Sequence, residues 1–125
     1  LLLSNSTISG NTASDAGGVL VSSATLTNSI VLGNQTTAGR IVDLKAFTLH
    51  LTQYLGLNIL GSGPDTDSSD GVINADPTKV FAQTVDIGGG VLAGVLASNG
   101  GPVQTIALKL DATNPALDRS NASAP

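Results

Sequence analysis

The chain has 125 residues, enough for one domain, and a formal net charge of −4 with no run of Lys or Arg; that balance excludes a phosphate-tracking surface, so neither nucleic acid nor an anionic membrane is an expected partner. There is no Cys, which excludes a disulfide framework and thiolate metal sites, and no uncharged apolar run approaches the ~20 residues of a membrane helix. With 41 % hydrophobic residues and only Phe47, Phe81 and Tyr54 as aromatics, the core must be built from Leu, Val, Ile and Ala.

All nine acidic residues are Asp, a turn former, so helix content is expected to be low. From the N-terminus, the block Leu3-Ser-Asn-Ser-Thr-Ile-Ser-Gly-Asn-Thr12 returns after 23 positions as Leu26-Thr-Asn-Ser-Ile-Val-Leu-Gly-Asn-Gln35. A period of this size marks units that bury their apolar faces only by stacking. Each block reads as a short strand ending in a turn at Gly10-Asn11 or Gly33-Asn34, because Gly and Asn tolerate left-handed backbone. Stacked at this period, Asn11 and Asn34 lie one above the other, and their amides can form a ladder that fixes the register. Between the blocks, Asp15-Ala-Gly-Gly18 is a turn signal and Val19-Leu-Val21 a short strand. A third, more degenerate coil uses Ile41-Val42, Phe47-Thr-Leu49 and Leu55-Gly-Leu-Asn-Ile-Leu-Gly61, its spacing shifted by an insertion near Lys45 to Tyr54.

Residues 1–61 are thus expected as stacked coils and residues 62–79, the most polar stretch, as a protruding loop. Residues 80–110 read as a last coil with its strands, including an apolar Val91–Ala97 and a half-buried strand over Gln104–Leu110. Residues 111–125 read as cap and tail. Pro102 and Pro115 cannot donate to a ladder, so residues 100–118 are expected to wrap the last coil and cover its open edge. Because Leu3 already lies within the first block, the chain is expected to begin inside a longer architecture.

Several stretches resemble the terminal part of bacterial right-handed parallel β-helix proteins, the large exported proteins described as polymorphic outer-membrane-like or surface-anchored. They are Asn28-Ser-Ile-Val-Leu-Gly-Asn34, Gly56-Leu-Asn-Ile-Leu-Gly61, Asn99-Gly-Gly-Pro-Val-Gln-Thr-Ile-Ala-Leu108 and Asn114-Pro-Ala-Leu-Asp118. The likeness spans residues 3–118. It implies an all-β solenoid of the pectate-lyase-like kind, with coils of about 23 residues and a C-terminal capping segment, in a secreted or cell-surface setting. Ile106 stands where the family's closing segment carries a His, and Thr113-Asn114 where it carries Gly-Ser. Asp43 is the counterpart of an Asp that follows the Gly-Asn strand in the family.

The best chemical candidate is the run Asp65-Thr-Asp-Ser-Ser-Asp-Gly71 with Asp76 beyond it. Asp65, Asp67, Asp70 and Asp76 offer the hard oxygens calcium requires, although the Gly position and the lack of a twelfth-position Glu depart from an EF-hand. A solvated loop of turn-forming Asp is the simpler reading of the same residues. His50 is the only histidine, which excludes a site using two imidazoles. Asp43 and Lys45, two apart on a strand, read as a surface ion pair, and with Arg40 they are the scant ingredients for polysaccharide chemistry. No catalytic residue and no cofactor other than calcium is assigned. The expected function is a non-catalytic structural or adhesive segment of an exported bacterial surface protein, contacting polysaccharide or a host cell surface. The alternative is part of a polysaccharide lyase or glycoside hydrolase whose active site lies mostly upstream.

Overall fold

Short strands broken by Gly and Asn corners pair in parallel with strands one pass further along the chain. The computed structural model describes residues 1–47, 52–61 and 71–117. The first pass contains β1 (Leu2–Ser4), β2 (Thr7–Ile8), β3 (Thr12–Ala13) and β4 (Val19–Val21). The second contains β5 (Ala24–Thr27), β6 (Ile30–Val31), β7 (Gln35–Thr36) and β8 (Leu44–Ala46), and β9 (Thr52–Leu55), β10 (Asn58–Leu60) and β11 (Val72–Asn74) follow. Two larger sheets result, in the orders β1-β5-β9 and β2-β6-β10-β11, with the two-stranded pairs β3-β7 and β4-β8 beside them.

The pairing register starts at the sequence period and then drifts in steps. Leu3 faces Leu26, Ile8 faces Val31 and Thr12 faces Gln35, each 23 residues on. Val19 faces Leu44, 25 residues on, because the chain doubles back after β7: Thr36 N–H bonds to the Arg40 carbonyl at 2.8 Å and Gln35 bridges Ile41 in antiparallel sense. Leu26 then faces Tyr54 at 28 residues, and Ile30 faces Ile59 at 29. The insertion expected near Lys45 to Tyr54 is therefore one of three. The corners need left-handed backbone, taken by Asn5 and Asn28 (φ 48° and 47°) and by Gly10 and Gly33 (φ 79° each).

Strand alternation sends one set of side chains inward and the other out. Inward lie Val19, Ala24, Leu26, Val31, Leu44 and Leu60, all buried, with Leu3, Ile8 and Tyr54 against them. A second cluster lies on the outer side of the β2-β6-β10-β11 sheet, where Leu32 and Ile59 meet Val80 and Phe81, flanked by Ile30, Ile106, Leu108 and Ala116. Each fully buried Leu contributes about 2 kcal/mol from apolar surface withdrawn from water. No helix among the described residues is long and apolar enough to cross a membrane.

Three expectations are corrected. Within the stretch 62–79, residues 72–74 form β11, which extends the sheet in parallel beside β10, and α1 (Pro77–Val80) follows directly. Val72 packs against the inner core, so the apolar pair Val72-Ile73 inside a polar stretch outweighed its flanks. Residues 80–110 make no further parallel pass: β12 (Thr84–Asp86) pairs antiparallel with β13 (Leu92–Gly94), and β14 (Leu96–Ala97) with β15 (Thr105–Ile106). The glycine turns 88–90 and 99–101 are short enough for antiparallel hairpins and too short for a parallel crossover. The described part of the 100–118 segment lies along the outer side of the β2-β6-β10-β11 sheet: Ile106, Leu108 and Ala116 join the Phe81 cluster, and Asn114 Nδ2 donates to the Val80 carbonyl at 3.0 Å. Apolar Ile30, Leu32 and Ile59 point outward there, and covering them is what this segment does.

Leu26→Ala is expected to lower unfolding free energy by about 2–5 kcal/mol and Leu20→Ala, 42 % exposed, by less than about 1 kcal/mol, measured by urea denaturation. Equal losses at the two sites would contradict the inward assignment.

Candidate functional site

At two corners of the first pass, Ser6 and Asn11, a backbone N–H faces the second pass and a side chain there receives it. Asn11 N and Nδ2 both donate to Asn34 Oδ1 at 3.1 Å. Asn34 in turn donates from N and Nδ2 to Asp43 Oδ1 at 2.8 and 2.9 Å, and its Nδ2 also reaches the Ile8 carbonyl at 3.1 Å. The sequence residues Asn11 and Asn34 are thus brought together, and the paired Gly10 and Gly33 beside them are joined by Gly10 N–H to the Gly33 carbonyl at 3.0 Å. A Cβ at Gly33 would collide with the Leu92 carbonyl oxygen, so bare backbone is required there.

Asp43 was not expected in this ladder. The fold-back after β7 carries it beneath Asn34, into the place a third Asn would take, and it is fully buried together with Asn34. Its Oδ2 sits where a Cβ on Gly61 would stand, so Gly61 is also forced to be small. A parallel ladder runs at the preceding corner: Ser6 N donates to Ser29 Oγ at 3.2 Å and Ser29 N to Asn58 Oδ1 at 2.9 Å. Asn58 Nδ2 lies 3.2 Å from the Leu26 and Gly71 carbonyls and 3.1 Å from that of Leu55. The Ser6 to Ser29 spacing of 23 was visible in the sequence, whereas Asp43 reaches its place only through a hairpin with no local signature.

Asp43 also lines a cleft of ≈ 240 Å³ whose walls include Leu32, Ile41, Leu92 and Pro77, with Asn74 and Asp76 at its polar side. Asp76 caps α1, its Oδ1 accepting from Thr78 N at 2.9 Å and Thr78 Oγ1 at 2.8 Å. The Thr78 backbone N–H, then its hydroxyl, hold the Asp76 carboxyl below its ordinary value, with Lys79 adding slightly. The cleft therefore places two carboxylates, one buried in the ladder and one at a helix cap, beside an apolar surface.

Of the four Asp residues assigned to calcium, Asp65, Asp67 and Asp70 lie outside the described residues, as does His50, and Asp76 is the cap just described. Among the described residues no group of three or more His, Cys, Asp or Glu side chains is placed to hold a metal. Lys45 pairs with Asp15 at 2.6 Å across two passes, both side chains about half exposed, so the expected Asp43–Lys45 pair is replaced: Asp43 turns into the ladder and Lys45 outward. Asn114, at the resemblance's Asn-Pro-Ala-Leu stretch, is a buried clamp that donates to the Val80 and Lys109 carbonyls and accepts from Ala116 N at 2.9 Å.

No protein-family model, curated protein or solved structure matches the chain.

Asn34→Ala strips Asn11 N, the Ile8 carbonyl and part of Asp43 of their partners at once, and is expected to destabilise by about 2–4 kcal/mol. Asn11→Ala, at an exposed residue, should cost less than about 1 kcal/mol. Chemical denaturation of both variants checks this, and an Asn34→Ala loss no larger than that of Asn11→Ala would remove the ladder from the account. The Asp76 pKa is lowered in the folded state, so its capping contribution is present above the ordinary value of 3.8 and lost as pH falls through the lowered one. Relative to Asp76→Asn, the native chain should therefore lose stability more steeply below pH 3.8, and parallel acid limbs in a pH series of urea melts would contradict the cap.

Proposed function

We propose that the chain is a right-handed parallel β-helix segment of an exported bacterial surface protein, serving structure and adhesion and contacting glycans without cleaving them. The solenoid reading is supported by parallel pairing of successive passes in two separate sheets and by the side-chain ladders at their corners. The exported, surface setting rests on the resemblance of Asn28–Asn34 and Asn99–Leu108 to that class of protein.

The observation that carries the glycan reading is the cleft beside the ladder. Sugars offer hydroxyl donors around an edge and C–H groups on a face. Asp76, its position fixed by Thr78, and Asn74 supply polar partners, and Ile41, Leu92 and Pro77 supply the apolar contact, with buried Asp43 and Leu32 behind them. The lack of Lys or Arg on its lining favours neutral over acidic sugars. Glycoside hydrolysis asks for one carboxylic acid with a raised pKa to protonate the leaving oxygen. Asp76 is shifted the other way by its cap, which makes it an acceptor and a poor proton donor.

Incubation of the full chain with neutral and acidic polysaccharides, with and without calcium, separates the readings. Retention of a neutral glycan without new chain ends is expected, weakened about tenfold by Asp76→Asn, which keeps the cap but removes the charge. New chain ends would favour the lyase or hydrolase alternative, and a calcium requirement would bring Asp65, Asp67 and Asp70 into the site.

A further inference from the structure

Asn99 is the one Asn of the chain that is followed by Gly. Such a pair carries a latent reaction, in which the backbone nitrogen of the second residue closes on the side-chain amide carbon of the first to give a succinimide ring. Two things ordinarily prevent it: a side chain on the second residue that crowds the nitrogen, and a hydrogen bond that occupies it. Neither operates at Gly100. It is exposed, a Cβ placed on it would meet nothing within 4 Å, and its N–H has no acceptor among the described residues.

The other described Asn residues are guarded. The N–H that follows donates to Ser29 Oγ after Asn5, to Asn58 Oδ1 after Asn28, and to the carbonyls of Asn11, Ser29 and Leu60 after Asn34, Asn58 and Asn74. Asn11 precedes β-branched Thr12, and Asn114 precedes Pro115, which has no N–H. At Asn99 the guard is on the side chain instead. Its Nδ2 donates to the Thr105 carbonyl and to Thr105 Oγ1 at 3.0 Å each, and to the Ala97 carbonyl at 3.3 Å. Ala97 and Thr105 face each other at the turn end of the β14–β15 hairpin, so this amide is the clasp that closes it.

We propose that Asn99 is a site of spontaneous deamidation, held back by its clasp and opening that clasp when it reacts. Once the side chain leaves Thr105, hydroxide takes the Gly100 N–H proton and the nitrogen attacks Asn99 Cγ. The Cγ–Nδ2 bond breaks, and Nδ2 takes a proton from water and departs as ammonia, which regenerates the hydroxide. Water then adds to one of the two ring carbonyls and breaks its bond to the Gly100 nitrogen. The product is aspartate with the ordinary backbone, or isoaspartate with the backbone routed through Cβ and Cγ. The sum is amide plus water to acid plus ammonia. The ionised carboxylate has no proton to donate, so the Ala97 and Thr105 carbonyls lose their partner and the hairpin its closure.

The test incubates the full chain in mildly alkaline buffer made with heavy-oxygen water and maps its peptides by mass. Conversion at Asn99 ahead of every other Asn is expected, with one labelled oxygen and both aspartate isomers. Thr105→Val removes an acceptor from the clasp and should speed the conversion about threefold. Asn99→Asp reproduces the carboxylate and should lower the thermal midpoint by about 4 °C. Conversion that begins at another Asn, or equal rates in the native and Thr105→Val chains, overturns the proposal. An unchanged midpoint in Asn99→Asp overturns the opening of the clasp.

Discussion

The corner amides of each pass must find acceptors inside the molecule, and the structure depends on how they do so. A corner interrupts the ladder, leaving N–H groups that strand pairing does not reach, and a buried unpaired N–H costs about 1–3 kcal/mol. Asn34, Ser29 and Asn58 answer this from the following pass, each accepting a corner N–H of the pass before it, and Asp43, folded back within the second pass, accepts that of Asn34. All four are almost wholly buried. Their side chains are short, so they also fix the vertical spacing and the register, which apolar packing alone leaves free to slip.

The inner core and the cleft follow from that register. With Leu3 over Leu26 and Ile8 over Val31, the inward residues form narrow layers that Leu, Val and Ala fill, with Tyr54 against them. The same register turns Ile30, Leu32 and Ile59 outward, so the sheet is apolar on both sides and needs a cover. The segment from α1 to Leu117 supplies it, with Phe81 at its centre and Asn114 fastening the far end to Val80. The cleft lies where this cover meets the ladder, which is why its lining combines buried Asp43 with Leu92 and Pro77.

What was legible in the sequence was local and periodic. The 23-residue recurrence marks which residues face each other in the first two passes, and Gly-Asn at both corners marks where Asn11 and Asn34 meet. Where pairing stops following sequence spacing, legibility ends. Asp43 joins the ladder through a fold-back whose Thr36 to Arg40 hairpin looks like any polar turn, and Val72–Asn74 is hidden as a strand by the polar residues before it. The strands after Val80 have ordinary apolar patterns that suit either sense of pairing; only the brevity of their turns decides for antiparallel. For the cleft, the sequence held Asp43 and Asp76 as separate features, because what joins them is the arm laid over the sheet.

The most direct test of the central claim is native-state hydrogen exchange of the Asn34 and Ser29 backbone amides. Both lie at corners outside strand pairing; Asn34 N–H donates to Asp43, folded back within the second pass, and Ser29 N–H to Asn58 of the following one. If those side-chain acceptors hold the stack together, these two amides exchange only when the whole molecule unfolds, at the free energy measured for the buried amides of Leu32, next to β6, and Ile59 in β10. Exchange at the rate of an exposed turn would mean that the corners open independently and that the ladder does not set the register.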